Sequence, residues 1–182
     1  ETGVIDMPKN TYRNINEAKK NVKLVFKKTK CDAIKMECNG NNFKIIKSIV
    51  KLGFPVMGHI GFTPQYYKKF KIQGLKEKDR LRLIREAIKN EEAGVFSIVL
   101  ECVTNNVAKE ITQSLKIPTV GIGSSINCDG QILVTDDMLG LSGFYPKFVK
   151  KFVKLTNIIE KAVQKYNTAV LTRKFPSKKN NF

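Results

Sequence analysis

A chain of 182 residues fits one domain and leaves little room for two. Hydrophobic residues at 42% and charged residues at 27% give a globular balance that argues against wholesale disorder. No apolar run approaches the ~20 residues of a membrane-spanning helix, and a formal net charge of +17 raises nucleic acid as the one partner class to weigh.

Short β-branched runs alternate with helical stretches. Val4-Ile5 leads into Asp6 as a first strand. Asn14, with Glu17 three positions on, predicts a capped helix start, and Ala18, Val22, Val25 and Phe26 follow on one inward stripe. Ala33 to Glu37 reads as the next strand. A helix carrying Phe43, Ile46, Ile49 and Val50 follows and stops at Gly53. Pro55 to His59 is a strand and its end. A loop then spans about Gly61 to Lys78, and Asp79 caps a helix with Leu81, Ile84 and Ile88 on one face. Val95 to Leu100 is almost purely apolar, as a strand buried on both faces requires.

Asn105 or Asn106 opens a helix with Val107, Ile111 and Leu115. Ile117 to Ile122 is a further strand, and Gln131 to Val134 a last short one. Pro146 to about Tyr166 reads as a long helix with Phe148, Phe152, Leu155, Ile159 and Val163 inward. Lys174 to Phe182 is a polar tail with little reason to be ordered.

Units of this kind give a parallel sheet with right-handed crossovers, either open and doubly wound or closed as a barrel. Asp6, Glu37, His59 and Glu101 fall at or just past the ends of four different strands. In a TIM-type (β/α)8 barrel those ends converge on one rim, so the barrel is favoured. Six strands cannot close eight. The expectation is an incomplete α/β barrel over 1–173, with the tail at 174–182. A start at Glu1 rather than Met, with no secretory leader after it, points to a processed product or fragment that is not secreted.

The positive charge does not form a nucleic-acid motif. Lysines are spread from Lys9 to Lys179 without interleaved aromatics, so solvated helix faces explain clusters such as Lys27-Lys28 and Lys150-Lys151. Cys31, Cys38, Cys102 and Cys128 form no C-x-x-C pair and read as free thiols. With His59 the only histidine, a metal here must rely on oxygen ligands. Gly121-Ile122-Gly123 fails the dinucleotide pattern at Ile126.

Gly58-His59-Ile60-Gly61-Phe62-Thr63-Pro64-Gln65 resembles the G-H-(L/I/V)-G-(L/F)-T-P-Q signature of the ketopantoate hydroxymethyltransferase family, also called 3-methyl-2-oxobutanoate hydroxymethyltransferase. Lys71-Ile72-Gln73-Gly74, Val99 to Val103, Ile117 to Gly123, Asp129 to Val134 and Pro146 to Val149 resemble further segments of it. The likeness runs from about Asp6 to the end of the last helix. It implies transfer of a one-carbon unit from 5,10-methylenetetrahydrofolate to 3-methyl-2-oxobutanoate, giving 2-dehydropantoate on the route to pantothenate and coenzyme A. It further implies a divalent metal, normally Mg2+, held by Asp6 and Glu37, with Asp6, Lys35 and His59 at the substrate and Glu101 as the base.

The residue types suit those roles. Mg2+ prefers carboxylate oxygens and retains waters. Lys35 shares a strand side with Glu37, and deprotonation needs a base within hydrogen-bond reach. Taken singly, a strand-end acid is as often a cap or a surface ion pair, and Lys35 a snorkelling lysine. The resemblance also implies a large homo-oligomer, a decamer, in a cytoplasmic or mitochondrial home. The family this chain resembles begins with two further β/α units and a V-G-D-S-type segment bearing a second metal-binding Asp and a substrate-binding Ser, so the resemblance implies a catalytic barrel lacking about its first two β/α units here. Cys38-Asn39 stands where the family has glycines, Thr104 where it has Pro, and Ser125 where it has Gly. Two other readings stay open: a metal-dependent lyase or mutase on a similar pyruvate-type barrel, and a non-catalytic lysine-rich fragment.

Overall fold

A computed structural model describes residues 3–38, 40, 42–67 and 69–181. Asn39 and the tail end Phe182, named above, lie outside the described residues, as does Glu1. The chain divides into two compact units, Glu1–Ile132 and Leu133–Phe182.

The first unit alternates strand and helix: β1 (Val4–Asp6), α1 (Ile15–Thr29), β2 (Ala33–Glu37), α2 (Phe43–Val50), β3 (Val56–Gly61), α3 (Glu77–Ala93), β4 (Ser97–Glu101), α4 (Asn105–Ser114), β5 (Thr119–Ile122) and β6 (Gly130–Gln131). The strands pair in parallel in the order β1-β2-β3-β4-β5-β6. A doubly wound sheet reverses its strand order at a switch point, and this one does not. Helices α1 to α4 pack side by side in chain order, α1 on α2, α2 on α3 and α3 on α4. A single helix layer on an unreversed parallel sheet is the topology of consecutive units of a (β/α) barrel, and the doubly wound alternative drops out.

Local chemistry sets the boundaries. Asn14 Oδ1 accepts the Glu17 N–H at 2.9 Å, which caps α1 as the spacing predicts. The returning Glu17 carboxylate takes the Arg13 N–H at 2.8 Å, one residue before the cap. Lys30 closes α1 in the left-handed region, with φ 54°, and Gly94 closes α3 with φ 88°.

Ile34, Met36, Val56, Ile60, Ile98 and Leu100 point from the sheet toward the helices. They pack there with Ala18, Val22, Ile46, Ile49, Leu83, Ala87, Ala108 and Ile111. Each large aliphatic side chain removed from water in this way contributes ~1.5–3 kcal/mol.

Three expectations are corrected. First, α3 packs through Leu83, Ala87, Asn90 and Ala93, while Leu81 and Ile88 are exposed and Ile84 is partly buried. Its buried stripe is small and partly polar, which an apolar count overlooks. Second, the last strand is Gly130–Gln131, since beyond Ile132 the chain turns into α5 (Thr135–Leu139).

Third, the C-terminal helix is α6 (Leu155–Leu171), with no buried residue. The stretch before it spends its backbone otherwise: Val149 N–H closes a turn on the Pro146 carbonyl, and Phe152 N–H reaches Met138. Phe152, Ile159 and Val163, expected inward, are exposed. Among the described residues no helix is long and apolar enough to cross a membrane.

Candidate active site

Side chains alternate across a strand, and parallel register keeps partners on one face. The pairings Asp6↔Lys35, Glu37↔His59, His59↔Val99 and Gly61↔Glu101 therefore place Asp6, Lys35, Glu37, His59 and Glu101 together. They share the face opposite the helix-packed core. Asp6, Glu37 and Glu101 each end their strands. Four adjacent strands thus present acids and bases along one C-terminal edge.

The contacts run across that edge as a chain. Lys35 Nζ lies 2.7 Å from Asp6 Oδ1 and 3.4 Å from His59 Nδ1. An ammonium brings only hydrogens, so Nδ1 accepts, and the ring proton of neutral His59 resides on Nε2. Nε2 in turn stands 3.2 Å from Glu101 Oε2, too far off axis to make an aligned hydrogen bond, so it is a buried donor with an ionic neighbour and no formed bond. Lys35 has three donors, and its third is left for another acceptor.

Glu37 sits beside this chain, 2% exposed, its two oxygens 3.3 and 3.2 Å from the Gln65 backbone N–H. Burial pushes its carboxyl above the ordinary range. His59, the Gln65 N–H and Lys35 act against that, and the charge of Glu101 adds to it.

The Glu101 side chain is 17% exposed, and its placement is constrained on both sides. Cys102 holds a left-handed φ of 54°, uncommon outside glycine. Gly61, φ 95°, lies so close that an added Cβ would land on the Glu101 carbonyl oxygen. The loop after β3 returns to this point, where Gln73 N–H bonds the Cys102 carbonyl at 2.8 Å and the Thr104 N–H bonds Gln73 at 2.9 Å.

Behind Glu37, the Cys38 thiol donates to Asn90 Oδ1 at 2.7 Å from the fully buried side of α3, while Cys38 N–H bonds the His59 carbonyl at 2.7 Å. Asn90 needs glycine at 58, because a Cβ there would come within 2.6 Å of its Oδ1. Burial pushes the Cys38 and Cys102 thiols up to about 12, so both stay protonated and unreactive at neutral pH.

All five residues expected at the site thus fall on one face, and Asp6, Lys35, His59 and Glu101 are joined by contacts. Gln65 was quoted above only as part of a signature, and Asn90 was missed. Neither role leaves a pattern in the sequence, since one uses a backbone N–H and the other a polar residue on a core stripe.

Among the described residues no three His, Cys, Asp or Glu side chains gather as a preformed metal cage. Two carboxylates on neighbouring strand ends do fit Mg2+, which takes one or two carboxylates and completes its shell with water and substrate oxygens. The Gln65 amide adds a second sign of fit: its oxygen is buried without a hydrogen-bond partner.

A family model described as ketopantoate hydroxymethyltransferase matches residues 1–178. The 3-methyl-2-oxobutanoate hydroxymethyltransferase of Pelagibacter ubique is 48% identical over 98% of this chain and 70% of its own length. The 3-methyl-2-oxobutanoate hydroxymethyltransferase 2 of Zymomonas mobilis is 46% identical over 97% of this chain and 66% of its own length. Among solved structures, a dihydrodipicolinate synthase of Agrobacterium tumefaciens aligns over 76% of this chain and 50% of its own, with 13% identity and a TM-score of 0.47. With the signature around His59 carried on the strand and loop that border this edge, and the match running nearly end to end, the chain belongs to the ketopantoate hydroxymethyltransferase family.

Proposed function

We propose that, in the whole protein, this strand-end face transfers a hydroxymethyl unit from 5,10-methylenetetrahydrofolate to 3-methyl-2-oxobutanoate, forming 2-dehydropantoate. The observation that carries the reading is the convergence of Asp6, Lys35, Glu37, His59 and Glu101 on one face at the ends of four adjacent strands. The chain spans 66–70% of the length of the relatives named above, so the activity is assigned to the whole protein.

Asp6 and Glu37 would hold Mg2+. A divalent cation there would supply Lewis acidity to a bound 2-keto acid. The remaining donor of Lys35 pairs with a substrate oxygen, and its contact with Asp6 fixes where that donor points. Glu101 takes the C3 proton. His59 accepts the Lys35 contact at Nδ1, so its Nε2 side serves as a donor toward Glu101.

Full-length protein should convert 3-methyl-2-oxobutanoate with the folate donor, and Glu101→Gln should lower kcat by ~10²–10⁴-fold with folding intact. Unchanged turnover in the variant removes Glu101 as the base. No product from well-folded full-length protein removes the reaction.

A further inference from the structure

Gln65 makes two contacts that reach both strand ends assigned to the cation. Its backbone N–H faces the two Glu37 oxygens, at 3.3 and 3.2 Å, on the end of β2. Its side-chain Nε2 donates to the carbonyl of Met7 at 3.2 Å, one residue after Asp6 on β1. Met7 is itself tied down, since its N–H bonds the Lys35 carbonyl at 2.9 Å and its side chain is 1% exposed. Thr63 accepts the N–H groups of Tyr66 and Tyr67 at 2.9 and 3.1 Å, and that turn holds Gln65 over the strand edge.

The Met7 carbonyl can only accept, so the amide nitrogen is the atom turned toward it. The amide oxygen is then the other terminus, and it is buried with no hydrogen-bond partner. A buried acceptor left unpaired bears its full desolvation penalty. Such a cost is offset when a ligand or its water supplies the missing donor or positive charge.

We infer that Gln65 is the positioning residue of the cation site: it sets the spacing of the Asp6 and Glu37 strand ends and turns its amide oxygen toward the cation's hydration shell. The inference rests on the reading that Asp6 and Glu37 hold the cation. Outer-shell partners of this kind are worth ~10–100-fold in metal affinity.

The test measures Mn2+ binding to full-length protein, by calorimetry and by the paramagnetic signal of free Mn2+, for the wild type and for Glu37→Gln, Gln65→Met and Gln65→Glu. The thermal midpoint without metal is read alongside. Gln65→Met keeps the backbone N–H and the side-chain volume but loses both amide functions. It should bind Mn2+ roughly 10–100-fold more weakly, with the metal-free midpoint little changed.

Gln65→Glu cannot donate to Met7 but restores an oxygen carrying charge. Mn2+ affinity above that of Gln65→Met places that oxygen at the cation's shell. Equal affinity in the two variants overturns that part, as does Gln65→Met binding like wild type for the whole inference. Failure of the wild type to bind, or undiminished binding by Glu37→Gln, overturns the underlying cation reading instead. Should Gln65→Met not fold, Gln65→Glu against wild type decides: affinity equal to wild type with Met7 unbonded removes the spacing role.

Discussion

Replacing Gly61 by alanine puts a methyl group where the backbone of the neighbouring strand already lies. The new Cβ would fall on the Glu101 carbonyl oxygen and within 2.8 Å of Val103 Cγ2. Neither is the free end of a flexible side chain. The Glu101 carbonyl also accepts the Phe62 N–H at 2.8 Å, so β3 and β4 would be pushed apart at a bond they share.

Two costs add. Alanine at a φ of 95° is strained by roughly 1–2 kcal/mol. Overpacking against backbone adds about 1–3 kcal/mol. A loss of about 2–5 kcal/mol is therefore expected in denaturant unfolding of the full-length protein.

The kinetic effect follows from geometry. To restore an ordinary contact the end of β4 must retreat by roughly 1 Å, carrying Glu101 with it, and a displacement of that size costs ~10²-fold in rate. Gly61→Ala should thus lose both stability and turnover. In contrast, Gly143→Ala meets nothing within 4 Å and should change neither beyond ~0.5 kcal/mol. Wild-type stability and turnover in Gly61→Ala would refute the claim that close packing of β3 on β4 places Glu101.

Two further outcomes follow from the first unit. Asp129 accepts the Thr119 N–H at 2.8 Å and its hydroxyl at 3.0 Å, and those bonds hold its carboxyl below the usual range. A carboxyl depressed in the folded state stabilises above its unfolded value and loses that contribution as pH falls through the folded one. Discounted for exposure, Asp129→Asn should cost about 1 kcal/mol at pH 7 and much less near pH 2, read as the difference between urea midpoints. Leu83→Ala empties a fully buried position on α3, and should cost about 2–5 kcal/mol by the same measurement.

The alternation of strand and helix was legible because buried parallel strands are apolar runs; the capping signal held for α1, whereas α3 begins at Glu77 with Asp79, expected as its cap, already inside the helix. Ala33–Glu37 falls where the run of apolar residues places it, and the Asn14 cap forms as its spacing implies. The site face was legible too. Period-two alternation put Lys35 beside Glu37, and strand ends in a parallel sheet share an edge.

Helical periodicity misled in α3 and in the stretch before α6. An apolar stripe identifies an amphipathic segment but does not say whether Asn90 takes a buried place on it, nor that residues after Pro146 bond elsewhere. Gln65 was opaque for a different reason: its contacts lie 28 and 58 positions away in the chain. Neither separation has a local signature.

Exchange of the C3 proton of 3-methyl-2-oxobutanoate with deuterated solvent, followed by NMR on full-length protein with Mg2+ and no folate, tests the central claim most directly. Exchange that is catalysed by the wild type and abolished in Glu101→Gln and in Glu37→Gln is the result this arrangement of residues predicts. Undiminished exchange in the Glu101 variant would contradict it.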